Sequence, residues 1–202
     1  MRSRQQQSLM KYSHHNLLDK KLFCLIVGSD LASQLLNGSS LHQLALGEAF
    51  SFCKTFGAEL IEVKREDLLS TLQSKEFDLV IIHDELLPLV SASQMQRTLD
   101  ELGQAGAIRP TMAFTETIKS LDAEHRLNQT IDREKVRRIS SPEVITSAAI
   151  DFAGEISTWS LPLKANTQTL QIESEAQGIR VNNVEEIKIL EALLQLADPA
   201  QK

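Results

Sequence analysis

The chain has 202 residues, 42% apolar and 24% charged, enough for one compact domain with an appendage. A formal net charge of -6 sets its surface against phosphate backbones, and 4% aromatic residues leave little for stacking single strands, so composition argues against nucleic acid as a partner. Cys24 and Cys53 form no CxxC pair and read as buried thiols of a cytoplasmic chain; the apolar run "LFCLIVG" is too short to span a membrane.

Residues 1–20 are polar and Gln-rich and read as a flexible tail or the end of an upstream helix. Its "SHHN" reads as two solvated histidines rather than a metal site. A regular alternation follows. "KLFCLIVG" predicts a buried strand, and "SSLHQLALGEAFSFCKTFG" a helix with Ser40 as N-cap and Gly57 as its stop. "AELIEV" predicts a strand, "REDLLSTLQSK" a helix, "FDLVIIHD" a strand, "SASQMQRTLDELGQAG" a helix and "RPTMAFT" a strand. "IKSLDAEHRLNQT" predicts a helix carrying His125 on its surface, "KVRRIS" an edge strand, and "PEVITSAAIDFAGE" a helix with Pro142 in its first turn.

Alternating strands and helices imply a flavodoxin-like, doubly wound, five-stranded parallel sheet over residues 21–156. Ligands of such sheets sit beyond the carboxyl ends of the strands. That rule places Asp30, His83, Asp84, Glu85, Thr115 and Ser141 on one rim. Residues 157–202 read as a linker plus a C-terminal β/α extension, with an amphipathic helix over 183–198. Its stripe from Val184 to Ala197 needs a partner: the domain itself, a second copy in a homodimer, or an adjacent domain. GxxxxGK[ST], GxGxxG after the first strand, GxSxG and HExxH are all absent; "GSDLAS" follows the first strand.

"KEFDLVIIHDELLP" resembles the third strand of two-component receiver domains, in which a reactive Asp at the strand end is followed four residues later by Pro; Asp84 and Pro88 keep that spacing. "RPTMAFTE" resembles the family's fourth strand, with Thr115 as the hydroxyl residue, and "ISSPEVITSAAI" its fifth, with Ser141 in the lysine position. "FCLIVGSD" resembles the first strand, where Gly28 and Ser29 stand in place of two acids and only Asp30 is acidic. An inserted "LASQLLNGSSLHQ" lies beside the rim.

Without the acid pair and the lysine, the resemblance implies a pseudo-receiver (CheY-like) that is not phosphorylated in the usual way: no enzyme, no catalytic residue, no cofactor or metal. Its role would be protein–protein interaction in bacterial signal transduction, as an atypical response regulator or a hybrid-kinase segment meeting a sensor kinase through residues 118–155. One alternative is a phosphorelay receiver using Asp84 as phosphoacceptor, with Mg²⁺. Another is a small-ligand-binding flavodoxin-like domain using the same rim.

Overall fold

A computed structural model describes residues 20–156 and 159–197. The "SHHN" segment lies outside the described residues. The first half follows the predicted alternation. Strand β1 (Leu22–Gly28) sends Leu22, Cys24 and Ile26 to one face and Phe23, Leu25 and Val27 to the other, and all six are buried. A strand covered on both faces has to read as an unbroken apolar run. A short hairpin of β2 (Leu35–Leu36) and β3 (Ser39–Ser40) takes up the inserted segment and leads into helix α1 (Leu41–Phe56). Ser40 and Gln43 form a reciprocal capping box at its start, and Gly57 ends it at φ 67°.

The alternation continues with β4 (Glu59–Lys64), α2 (Leu68–Gln73), β5 (Leu79–Asp84), α3 (Ala92–Asp100) and β6 (Ala107–Met112). Strands β4, β1 and β5 lie side by side and parallel. Helices α1 and α3 contribute Ala49, Phe52, Met95 and Leu99 to the core on one face. Helix α2 gives Leu68 and Leu72 to the other, together with Ala149, Ile150, Trp159 and Leu161.

The second half departs from expectation. The predicted helix at 118–130 is a hairpin of β7 (Ile118–Leu121) and β8 (Leu127–Ile131), pairing Ile118 with Ile131 and Lys119 with Thr130. β-Branched residues at the paired ends favour strands. Asp122 folds the turn by accepting the amides of Glu124 and Arg126, with His125 at φ 60°. The predicted helix from Pro142 is strand β10 (Glu143–Thr146), which runs antiparallel between β5 and β6. Its Val144 and Ile145 are wholly buried, and a short run buried on both faces has no periodicity to separate strand from helix.

Strand β9 (Arg138–Ile139) pairs antiparallel with β6, and β11 (Thr169–Glu173) extends the sheet parallel to β6. The result is an α/β fold on a mixed seven-stranded sheet, with main order β11-β6-β10-β5-β1-β4. It corrects the expected five-stranded, all-parallel, CheY-like sheet, because β10 is a central strand running against its neighbours. Helix α4 (Val184–Ala197) lays Ile187 and Leu190 against Leu36, Leu41, Leu86 and Val181, so the chain itself covers the middle of that stripe, while Val184 stays exposed. Among the described residues no helix is long and apolar enough to cross a membrane.

Candidate functional site

The carboxyl ends of β1 and β5 open into a cleft of about 750 Å³, within the range of small-molecule sites. Gly28, Ser29 and Asp30 form one wall, from the loop that ends β1. Asp84 sits at the floor, only 2% exposed. Strand β10 explains what lies behind it. An antiparallel strand starts where its parallel neighbour ends, so Ser141, just before β10, arrives beside the last residues of β5. Ser141 Oγ accepts the Asp84 amide at 3.2 Å and lies 2.6 Å from His83 Nδ1.

His83 is fully buried, and burial pushes its pKa down to about 4, so the ring is neutral near pH 7. With Ser141 donating to Nδ1, the ring proton falls on Nε2, which meets no partner among the described residues. His83 thus props the end of β5 from behind. Its depressed pKa costs stability in acid: the contribution is whole above about pH 6.5 and is lost as pH falls towards about 4. Relative to His83→Asn, which keeps the Ser141 bond and does not titrate there, the wild type should lose about 3 kcal/mol between pH 7 and pH 4. Guanidinium chloride unfolding at the two pH values checks this, and an unchanged difference would show that the ring is not held neutral.

The Asp84 carboxylate turns towards the cleft. Oδ1 accepts the Leu86 amide at 3.1 Å and Oδ2 accepts Arg180 Nε at 2.6 Å. Desolvation raises the Asp84 pKa, and the Arg180 guanidinium and the Leu86 amide oppose the rise. Arg180 comes from the segment after β11, which crosses the end of the sheet. Val181 donates its amide to Leu86 O at 2.8 Å, and Ser140 Oγ donates to Gly178 O at 3.2 Å. Only a glycine allows that approach, since a Cβ on Gly178 would stand 2.5 Å from Ser174 Oγ and 2.7 Å from Ser140 Oγ.

Two further cations, Arg65 and Arg137, line the cleft with Glu66, and Trp159, the chain's single tryptophan, closes one side with Ser160. Ser160 Oγ donates to Glu143 Oε2 at 2.8 Å, and buried Glu143 also accepts from Arg109 Nε and from the Leu161 amide at 3.3 Å. This network fixes the Trp159–Ser160 wall to the start of β10.

Of the residues predicted from sequence, Asp30 and Asp84 line the cleft, while His83 and Ser141 stand directly behind it. Glu85 faces an adjoining recess. Thr115 is exposed in the loop before the β7–β8 hairpin, where its carbonyl accepts from Arg133, and it does not line the cleft. Sequence reasoning does not place Arg180, Arg65, Arg137 or Trp159 at the site; Arg65 and Arg137 stand out only as members of two sparse basic clusters. The signals available are one cation between two aliphatic residues in "GIRV" and the lone tryptophan in "TWSLP". Among the described residues no group of three or more His, Cys, Asp or Glu is placed to hold a metal ion.

A cleft lined by three arginines, one of them paired with a shielded carboxylate, suits a ligand rich in phosphate. Comparison with known proteins agrees. Residues 63–179, more than half of the chain, match the family described as IspD, 2-C-methyl-D-erythritol 4-phosphate cytidylyltransferase. Among curated relatives, the bifunctional enzyme IspD/IspF of Nitrobacter winogradskyi is 37% identical over 75 residues, 37% of this chain and 19% of its own length. That of Rhizorhabdus wittichii is 29% identical over 136 residues, 67% of this chain and 34% of its own length. The chain therefore spans about a fifth to a third of these two-activity relatives.

Among solved structures, the 2-C-methyl-D-erythritol 4-phosphate cytidylyltransferase of Thermus thermophilus superposes with a TM-score of 0.68 at 19% identity, covering 87% of this chain and 99% of that one. The 4-diphosphocytidyl-2C-methyl-D-erythritol synthase of Anaerococcus prevotii gives 0.69 at 16%, covering 87% and 96%.

These findings overturn the receiver resemblance. The matched family is one of cytidylyltransferases, so a non-enzymatic interaction module, a two-component phosphorelay and a sensor-kinase partner are all corrected, as are the phosphoacceptor and flavodoxin-like alternatives. The physical reason is visible at Asp84. It is buried, ion-paired to Arg180 and backed by an antiparallel strand, where a phosphoacceptor needs an open carboxylate beside metal ligands.

Proposed function

The chain belongs to the IspD, or 2-C-methyl-D-erythritol 4-phosphate cytidylyltransferase, family, and from that premise we propose that it transfers a cytidylyl group from CTP to 2-C-methyl-D-erythritol 4-phosphate. The observation that carries the reading is the cleft at the ends of β1 and β5, which Arg65, Arg137 and Arg180 line together with Asp84. A phosphate oxygen of the acceptor attacks the α-phosphorus of CTP. The new P–O bond forms as the bond to the β-phosphate breaks, and pyrophosphate leaves. The attacking phosphate monoester is largely a dianion at neutral pH, with a second pKa of about 6, so the step needs no strong base.

What the step does need is positioning, together with offset of the charge on the five-coordinate phosphorus and on the leaving pyrophosphate. The three arginines supply that charge. Asp84 holds Arg180 in place through Nε and Asn182 Oδ1 accepts from its Nη1, which leaves Nη2 for phosphate oxygens. Trp159 offers an apolar side against which a base or the acceptor's carbon chain would pack.

A Mg²⁺ carried on the triphosphate fits the donor set. Asp30 and Glu66, exposed carboxylates of the cleft, would hold it while it keeps part of its water shell. When bound, such an ion supplies further offset of phosphate charge. A pyrophosphate-release assay tests the reading: release should require both CTP and the alditol phosphate, and release from CTP alone, or none with both, would count against it.

A further inference from the structure

The loop that ends β1 is a partition between two cavities. On one side is the Asp84–Arg180 cleft; on the other is a recess of about 430 Å³ bounded by His42, Glu62 and Glu85. Gly28, Ser29 and Asp30 face both. Glu85 is 2% exposed, and its carboxylate is engaged with this loop. Oε1 accepts the Ser29 amide, and a Cβ on Gly28 would stand 3.7 Å from the same oxygen. Oε2 lies 3.0 Å from His42 Nδ1, and His42 Nε2 lies 3.2 Å from Glu62. The amide of Glu85 itself reaches Val27 O at 3.4 Å, which ties the two strand ends together.

Backbone amides just beyond the first strand of an α/β sheet are natural seats for nucleotide phosphates, because they present N–H dipoles and no side-chain bulk. In this chain a carboxylate of the protein already occupies one of those amides. We propose that Glu85 is an internal anion that competes with a nucleotide's phosphates for the β1 loop and so sets the affinity of the cleft for nucleotide. The proposal rests on the nucleotide reading of the cleft. It makes Glu85 a positioning and specificity residue: it holds the loop in place when the cleft is empty, and it repels phosphate until its Oε1 gives up the Ser29 amide.

The test is calorimetric titration of the wild type, Glu85→Gln and Glu85→Ala with CTP, ATP, UTP, cytidine and inorganic tripolyphosphate. Glu85→Gln keeps an acceptor for Ser29 and loses the charge; Glu85→Ala frees the amide as well. CTP and tripolyphosphate should bind Glu85→Ala about tenfold more tightly than wild type, and Glu85→Gln by a smaller factor, with cytidine unchanged. Circular dichroism shows which variants fold, and Glu85→Gln decides if Glu85→Ala does not. Unchanged or weaker CTP and tripolyphosphate binding in a folded variant overturns the proposal, and so does a gain that cytidine shares. If tripolyphosphate tightens but CTP gains nothing over ATP or UTP, the role of Glu85 stands and the cytidylyl reading falls. If CTP binds all three chains alike and more tightly than ATP or UTP, the reverse holds.

Discussion

Replacing Arg180 by methionine is expected to lower cytidylyl transfer by about two to three orders of magnitude, the usual cost of removing one fixed cation or donor from a developing phosphate charge. The same change leaves Asp84 buried without its counter-charge. Loss of one partner of a fully buried pair costs about 3–5 kcal/mol. Arg180 is 36% exposed, so solvent shares in its charge and about 2 kcal/mol is the expected loss of stability.

The sign with pH follows from Asp84. Its pKa is already raised by burial, and removing Arg180 removes the influence that opposes the rise. The deficit is therefore full where Asp84 is ionised and shrinks as pH falls through its folded-state pKa, because a protonated Asp84 needs no cation. Arg180→Lys should recover part of the stability and less of the rate, since an ammonium restores charge without the planar fork. Turnover within tenfold of wild type in a folded Arg180→Met chain would remove Arg180 from the chemistry.

The largest effect on stability is expected at Arg109. Glu143 is wholly buried on β10, and Arg109 on β6 is its only cation among the described contacts, with Ser160 and the Leu161 amide completing its shell. Arg109→Met should cost about 3–5 kcal/mol near neutral pH, a large share of the stability of a domain this size. The double variant Arg109→Met, Glu143→Met should recover most of it, because an apolar pair of similar volume leaves no buried charge. Burial raises the Glu143 pKa and Arg109 opposes the rise, so the single variant's deficit narrows as pH falls and Glu143 protonates. Urea unfolding midpoints of wild type, both single variants and the double close the cycle. A cost under about 1 kcal/mol for Arg109→Met would mean that water, not Arg109, compensates Glu143.

Both predictions turn on residues that sequence periodicity could not bring together. Asp84 and Arg180 are 96 positions apart, and Arg109 and Glu143 are 34 apart. The half of the sheet built from β1, β4 and β5 was legible because each strand is an apolar run and each intervening helix has its own cap or stripe. Asp84 was legible as the polar end of such a run. The second half was not. Glu143, Val144 and Ile145 are all buried, which removes the alternation that marks a strand, and Pro142 before them mimics a helix start.

Residues 118–131 held apolar residues at spacings a helix could use, while Asp122 and its turn decided for a hairpin. The receiver resemblance failed for a related reason. An apolar strand ending in acid is what many parallel sheets show at a ligand edge, and only the antiparallel β10 and the returning Arg180 distinguish this one.

The most direct test is ³¹P NMR of the purified chain incubated with CTP, 2-C-methyl-D-erythritol 4-phosphate and Mg²⁺. The expected result is loss of the triphosphate signals, with equal appearance of pyrophosphate and of a diphosphate diester, only when both substrates are present, and nearly abolished in Arg180→Met. Intact CTP under these conditions, or a wild-type rate no higher than that of Arg180→Met, would contradict it.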